Sequence, residues 1–211
     1  MAKDPSETWR AIAFTAAAAA VAAVAIAAPM FLAGSTSPAR AADNRAESVK
    51  WFAKMETVMT HPRCANCHDG DDFPRQADDN HKHVNDVVRS ALDRGAGGTG
   101  PGAGANAAPC FVCHMDTNTA DGRMPGAPNW RLAPESMGWG FQHGAELCKH
   151  LKDQDRNNGR DPAALLEHMK TDPVVLWAFD PGTRTKPPLT KEQFIDAVSN
   201  WVTTGAYCPD T

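Results

Sequence analysis

Apolar residues recur at helical spacing along much of this chain, and they predict most of its elements. An uncharged, Ala-rich run extends from Ala11 to Ala28 and continues past Pro29 to Gly34. Downstream, Val49, Phe52, Met55, Val58 and Met59 predict a helix over 44–60. His61-Pro62 ends it, because a residue before proline is pushed out of the α region. Val84, Val87, Val88 and Leu92 predict a short helix over 81–92, capped by Asp79 or Asn80. Ala145, Leu147, Cys148 and Leu151 predict another over 142–153. Asp161-Pro162, a cap followed by proline at the first helical position, opens a helix running to Lys170. Thr190-Lys191-Glu192-Gln193 is a capping box, and the helix after it carries Phe194, Ile195, Val198, Trp201 and Val202 on one face until Gly205. Residues 69–79, 95–108 and 120–136 are rich in Asp, Gly or Pro and read as connections. No stretch alternates convincingly enough to predict a strand. The expected fold class is mainly α with long loops.

Composition narrows this picture. With 211 residues the chain holds one domain or two small ones, and its charged and apolar fractions are those of a globular protein. A formal charge of -4 argues against a nucleic-acid partner. Lys3 and Arg10 precede the Ala-rich run, and Ala39-Arg40-Ala41 follows it as an A-x-A cleavage site. Residues 1–41 therefore read as a signal peptide. The rival is an uncleaved anchor, since 11–34 is long enough to span a bilayer. Either way the remainder is expected outside the cytoplasm, in the periplasm, and a membrane is a partner only if the segment is retained.

The chemistry lies in two pentapeptides, Cys64-Ala65-Asn66-Cys67-His68 and Cys110-Phe111-Val112-Cys113-His114. Both read C-x-x-C-H, the attachment signature of c-type haem. Two thiols at this spacing can each form a thioether with one vinyl group, and the adjacent imidazole ligates the iron. Two covalently attached haem c groups are expected, with Cys64, Cys67, His68, Cys110, Cys113 and His114 as the attachment and proximal residues. Only 42 residues separate Cys67 from Cys110, too few for an independent haem domain. One compact, cytochrome c-like di-haem domain over 42–211 is the expectation. Gly95-Ala96-Gly97-Gly98-Thr99-Gly100 matches a dinucleotide fingerprint but lacks the strand before it and the helix after it. The remaining cysteines, Cys148 and Cys208, are expected to form a disulfide, two buried thiols being the alternative.

The second axial ligands do not follow from the motifs. His61, His81, His83, His143, His150, His168, Met124, Met137 and Met169 are all candidates. His83 is favoured for the first haem, with His81 competing, and Met137 for the second, with His168 competing. Methionine ligation raises a haem potential and a second histidine lowers it, so such a pair would give electrons a direction. Two rivals to an electron carrier remain. One is a haem enzyme with an open iron position, peroxidase- or reductase-like. The other is a structural zinc module in which Cys64, Cys67, Cys110 and Cys113 close a Cys₄ site. Removing 1–41 takes away three basic and two acidic residues, so the formal charge becomes -5, which suits docking to a basic patch on a redox partner.

The chain also resembles a family of small exported di-haem c-type cytochromes, often labelled isoquinoline 1-oxidoreductase subunits. The matching stretches are His61-Pro62-Arg63-Cys64, His81-x-His83, Pro128-Asn129-Trp130-Arg131-Leu132-Ala133-Pro134 and Met137-x-Trp139. Leu151-Lys152-Asp153, Arg156-Asn157, His168-Met169 and Gly205-Ala206-x-Cys208-Pro209 complete the ordered set. The resemblance implies a periplasmic haem protein that passes electrons to or from a redox partner protein, such as a molybdenum hydroxylase or another cytochrome.

Overall fold

A long helix, α1 (Pro38–Met59), buries Phe52, Met55, Val58 and Met59, as the spacing predicts, and begins six residues before the predicted start. The computed structural model describes residues 38–84, 87 and 110–211. The Ala-rich run and the connection over 95–108 lie outside these residues. No described helix is long and apolar enough to cross a membrane.

His61-Pro62 ends α1 and at once starts a new element. Proline fixes the first helical φ, and His61 Nδ1 accepts from the Arg63 N–H at 3.2 Å, so α2 (Pro62–Ala65) carries Cys64 on a capped helical turn. The chain next forms a small hairpin, β1 (Arg75–Gln76) against β2 (His81–Lys82), antiparallel with Gln76 opposite His81. This corrects two expectations: 69–79 is not wholly loop, and no helix starts at His81. The physical reason is that the backbone is already committed. The His83 N–H donates to Pro74 O at 2.9 Å, closing the ladder before a helical turn can form. Most of the remainder of the predicted 81–92 helix lies outside the described residues.

Four described α-helices come later, three of them close to their sequence signals. They are α3 (Gly144–Lys152), α4 (Pro162–Thr171) capped by Asp161, α5 (Pro173–Trp177) capped by Asp172, and α6 (Lys191–Thr203). The capping box is complete: Thr190 Oγ1 accepts from the Gln193 N–H at 3.2 Å, and Gln193 Oε1 accepts from the Thr190 N–H at 2.9 Å. Helix α5 had no periodic signal because five residues are too few to show one.

Helices α1 and α6 pack side by side, with the rings of Phe52 and Trp201 at 6.1 Å. Leu147, Leu151, Leu165, Met169, Phe194, Ala197 and Val198 complete one buried cluster. Cys148 and Cys208 form a disulfide that ties the C-terminus to α3. The described residues belong to one compact unit, Thr36–Thr211, and the fold is mainly α.

Candidate haem-attachment sites

In the first pentapeptide, α2 and the turn after it set Cys64, Cys67 and His68 on the wall of an apolar cavity of about 800 Å³, its mouth included. Met59, Leu165, Met169, Val175, Trp177, Phe179 and Phe194 supply much of its apolar lining. A second opening of about 480 Å³ shares Cys67, His68, Met137 and His168 with it.

Two backbone features hold His68. Its Nδ1 is 2.9 Å from Met137 O, and its own carbonyl accepts from the N–H groups of Trp139 and Gly140 at 2.8 and 2.9 Å. The Trp139 indole stacks on the imidazole at 3.7 Å, and Trp139 Nε1 donates to Met59 O at 3.2 Å. A carbonyl accepts only from a protonated nitrogen, so Nδ1 carries the proton and Nε2 keeps the lone pair a metal needs. Burial pushes the His68 pKa down to about 4, the Met137 carbonyl opposing it, so the ring is neutral at ordinary pH. Burial, with the Cys67 thiol beside it, pushes the Cys64 thiol up to about 12, keeping its proton in place.

The second pentapeptide repeats this arrangement with different surroundings. Cys110–Val112 forms a single 3₁₀ turn, after which His114 N–H donates to Cys110 O at 2.9 Å. His114 Nδ1 is 2.8 Å from Pro125 O, and the Trp130 indole stacks on its ring at 4.7 Å. Burial lowers the His114 pKa, so this imidazole too is neutral with Nε2 available. Phe111, Val112, Met115 and Met124 are exposed around it. Such an apolar rim is what a flat macrocycle would cover.

The two places are joined by aromatic contact. Trp130 meets Trp177 edge to face at 4.8 Å, and Trp177 lines the cavity that holds His68. Asn118 Oδ1 fixes Trp177 by accepting from its Nε1 at 2.8 Å.

Haem fits both donor sets. Each has two thiols not used in a disulfide, an imidazole whose tautomer is set by a backbone carbonyl, and a tryptophan against that imidazole. Arg63 adds a buried guanidinium on the cavity wall, and its Nε has no hydrogen-bond partner among the described residues. An unspent buried donor of this kind suits the carboxylate edge of a haem. A closed Cys₄ zinc site would need all four motif sulfurs in one coordination sphere. Among the described residues no group of three or more His, Cys, Asp or Glu side chains has that spacing.

The candidate second ligands are distributed differently from the sequence expectation. Met137 borders the His68 cavity, and its sulfur lies 4.0 Å from Arg160 Nη1. His168 and Met169 line the same cavity. His83 lies beside His114, not His68, because the β1–β2 hairpin carries it across to the second pentapeptide. His81 faces solvent with both ring nitrogens engaged, by Asp79 and Gln76. The sequence assigned no role to Arg63, Trp130 and Trp139 beyond their place in the matching stretches, and carried no sign of the carbonyls of Met137 and Pro125. The six tryptophans against a single tyrosine were the available signal. Comparison with protein-family models, with curated proteins and with solved structures returns no match for this chain.

Proposed function

We propose that this chain is an exported di-haem c-type electron-transfer protein with a cytochrome c-like role. The observation that carries the reading is the duplicated arrangement around His68 and His114, each neutral, Nδ1-protonated and placed beside a Cys-x-x-Cys pair. Cys64, Cys67 and His68 would hold one haem, and Cys110, Cys113 and His114 the other. Bound haem supplies a one-electron ferric–ferrous couple. The chain's own residues orient and insulate it. The Met137 and Pro125 carbonyls fix the two imidazoles and raise their basicity, which favours the oxidised iron. The apolar wall of the first cavity lowers the local dielectric, and Trp130 with Trp177 forms a continuous aromatic bridge between the two places. For the second ligand at the first place, the cavity offers Met137, His168 and Met169.

The Cys148–Cys208 disulfide supports folding in an oxidising compartment, in keeping with the export signal over 1–41. The partner is a redox protein, a molybdenum hydroxylase or a second cytochrome, reached through the acidic surface of residues 42–211.

The test is absorption and haem content of the chain purified from the periplasm of a host that attaches haem c. Two covalent haems per chain are expected, falling to one in Cys64→Ala/Cys67→Ala and in Cys110→Ala/Cys113→Ala. A colourless protein, or one that loses its pigment to acid–acetone extraction, sinks the reading.

A further inference from the structure

Two histidines from distant parts of the chain meet at the second pentapeptide. The rings of His83 and His114 have centroids 6.0 Å apart and planes inclined at 69°. Two imidazoles on opposite faces of one metal, with metal–nitrogen bonds of roughly 2 Å and ring centres about 1 Å beyond, would have centroids about 6 Å apart. The two rings also share a tautomer. His114 Nδ1 is tied to Pro125 O, and His83 Nδ1 is tied to Val84 O at 2.5 Å. Each therefore keeps a lone pair on Nε2, the nitrogen that can ligate.

His83 reaches this position through a built support. The Arg63 guanidinium donates to Ala77 O and to Asp78 Oδ1, both at 2.6 Å, and Asn66 Nδ2 donates to the same Ala77 carbonyl at 2.9 Å. Ala77 sits at φ +61°, a left-handed conformation that a residue with a Cβ holds only when its surroundings enforce it. Arg63, next to the first pentapeptide, and Asn66, within it, thus anchor the turn of the hairpin. The second strand then delivers His83, whose N–H is held by Pro74 O at 2.9 Å. His81, two residues earlier, is turned outward and spent on Asp79 and Gln76.

We infer that His83 is the second axial ligand of the iron attached through Cys110, Cys113 and His114, making that centre bis-histidine, with Arg63 and Asn66 positioning it through the hairpin. The inference rests on the proposed haem function. With a thioether from Met137 or Met169 at the first place, the second pentapeptide would hold the lower-potential, electron-donating centre, because two imidazoles favour ferric iron more than an imidazole–thioether pair does.

The experiment compares wild type, His83→Ala, His83→Met and His81→Ala by haem content, electron paramagnetic resonance and potentiometric titration. Wild type is expected to hold two haems, the one at the second motif low-spin. In His83→Ala half of the haem turns high-spin and binds added cyanide or carbon monoxide, and millimolar imidazole restores the low-spin signal. His83→Met, which keeps a ligand should the alanine variant fold poorly, stays low-spin with one potential raised. His81→Ala matches wild type. Two haems with unaltered spin state and potentials in both His83 variants would overturn the assignment while leaving the haem reading intact. A wild-type chain with no haem would overturn the haem reading itself.

Discussion

His150 shows what burial does to a single titratable group here. It is 4% exposed, yet it lies on no motif. Its Nε2–H donates to Ser136 O at 2.9 Å, and Nδ1 faces the Gln142 carboxamide at 2.9 Å and Arg156 Nη1 at 3.4 Å. Burial holds its pKa below the ordinary 6.5, and the Arg156 cation pushes the same way, although the Ser136 carbonyl opposes both. In the window below about 6.5 the unfolded chain therefore binds more protons than the folded one, and stability falls as the pH is lowered. Melting temperatures measured at pH 7.5 and 5 should show this fall, and His150→Asn, which cannot take up the proton, should show a smaller one. An equal fall in both proteins would remove His150 from the account. The ring sits edge-on to Trp139, so the same residue steadies the indole that stacks on His68.

The irregular segment before α3 does more for the first site than any helix. Its short 3₁₀ turn, Glu135–Met137, ends at Gly138, which lies so close to Gly70 that a Cβ there would meet Gly70 Cα at 2.2 Å and Gly70 N at 2.4 Å. Only hydrogen fits, and the close approach brings Met137 O and Trp139 onto His68. Gly138→Ala must push this segment away. The expected cost is on the order of 1–3 kcal/mol in denaturant unfolding and, on the proposed haem function, a changed spectrum at the first motif with an unchanged one at the second. A variant with wild-type stability would show that the segment gives way freely. The β1–β2 hairpin is the other decisive element. The valines after His83 suggested a helix over 81–92, but side-chain anchors from Arg63 and Asn66 outweigh that local spacing at its start.

Over the whole molecule, α1, α3, α4 and α6 share one buried cluster, and the disulfide closes a 60-residue separation across it. In the chain-entropy account such a bridge stabilises by on the order of 4 kcal/mol. The double variant Cys148→Ser/Cys208→Ser should lose about that much in urea unfolding while keeping the haem content of the parent chain, provided folding still completes. Unchanged stability would mean that the α1–α6 packing holds the C-terminus without help. That packing includes Ser48 Oγ, which accepts from the Tyr207 N–H at 2.8 Å, and Trp201 Nε1, which donates to Tyr207 O at 3.0 Å.

The two pentapeptides stand out in the sequence because C-x-x-C-H is a fixed local spacing, which a linear string records directly. The four longer described helices were legible for the same reason: caps such as Asp161 and Thr190, and faces such as Phe194–Val198–Trp201, are patterns within a few residues of each other. The disulfide followed from counting, since Cys148 and Cys208 were the pair the motifs left over. The second ligands were different. Which imidazole faces which motif depends on residues tens of positions apart, and a loop of given length can reach several places. His83 was read toward His68 because it is nearer in sequence. Folding turned it toward His114, since the hairpin's backbone bonds and the Arg63 anchor fix the direction of the chain before His83 is reached. The stacking tryptophans and the two carbonyl acceptors were hidden for the same reason: they act through distance in space, and nothing in their local sequence requires it.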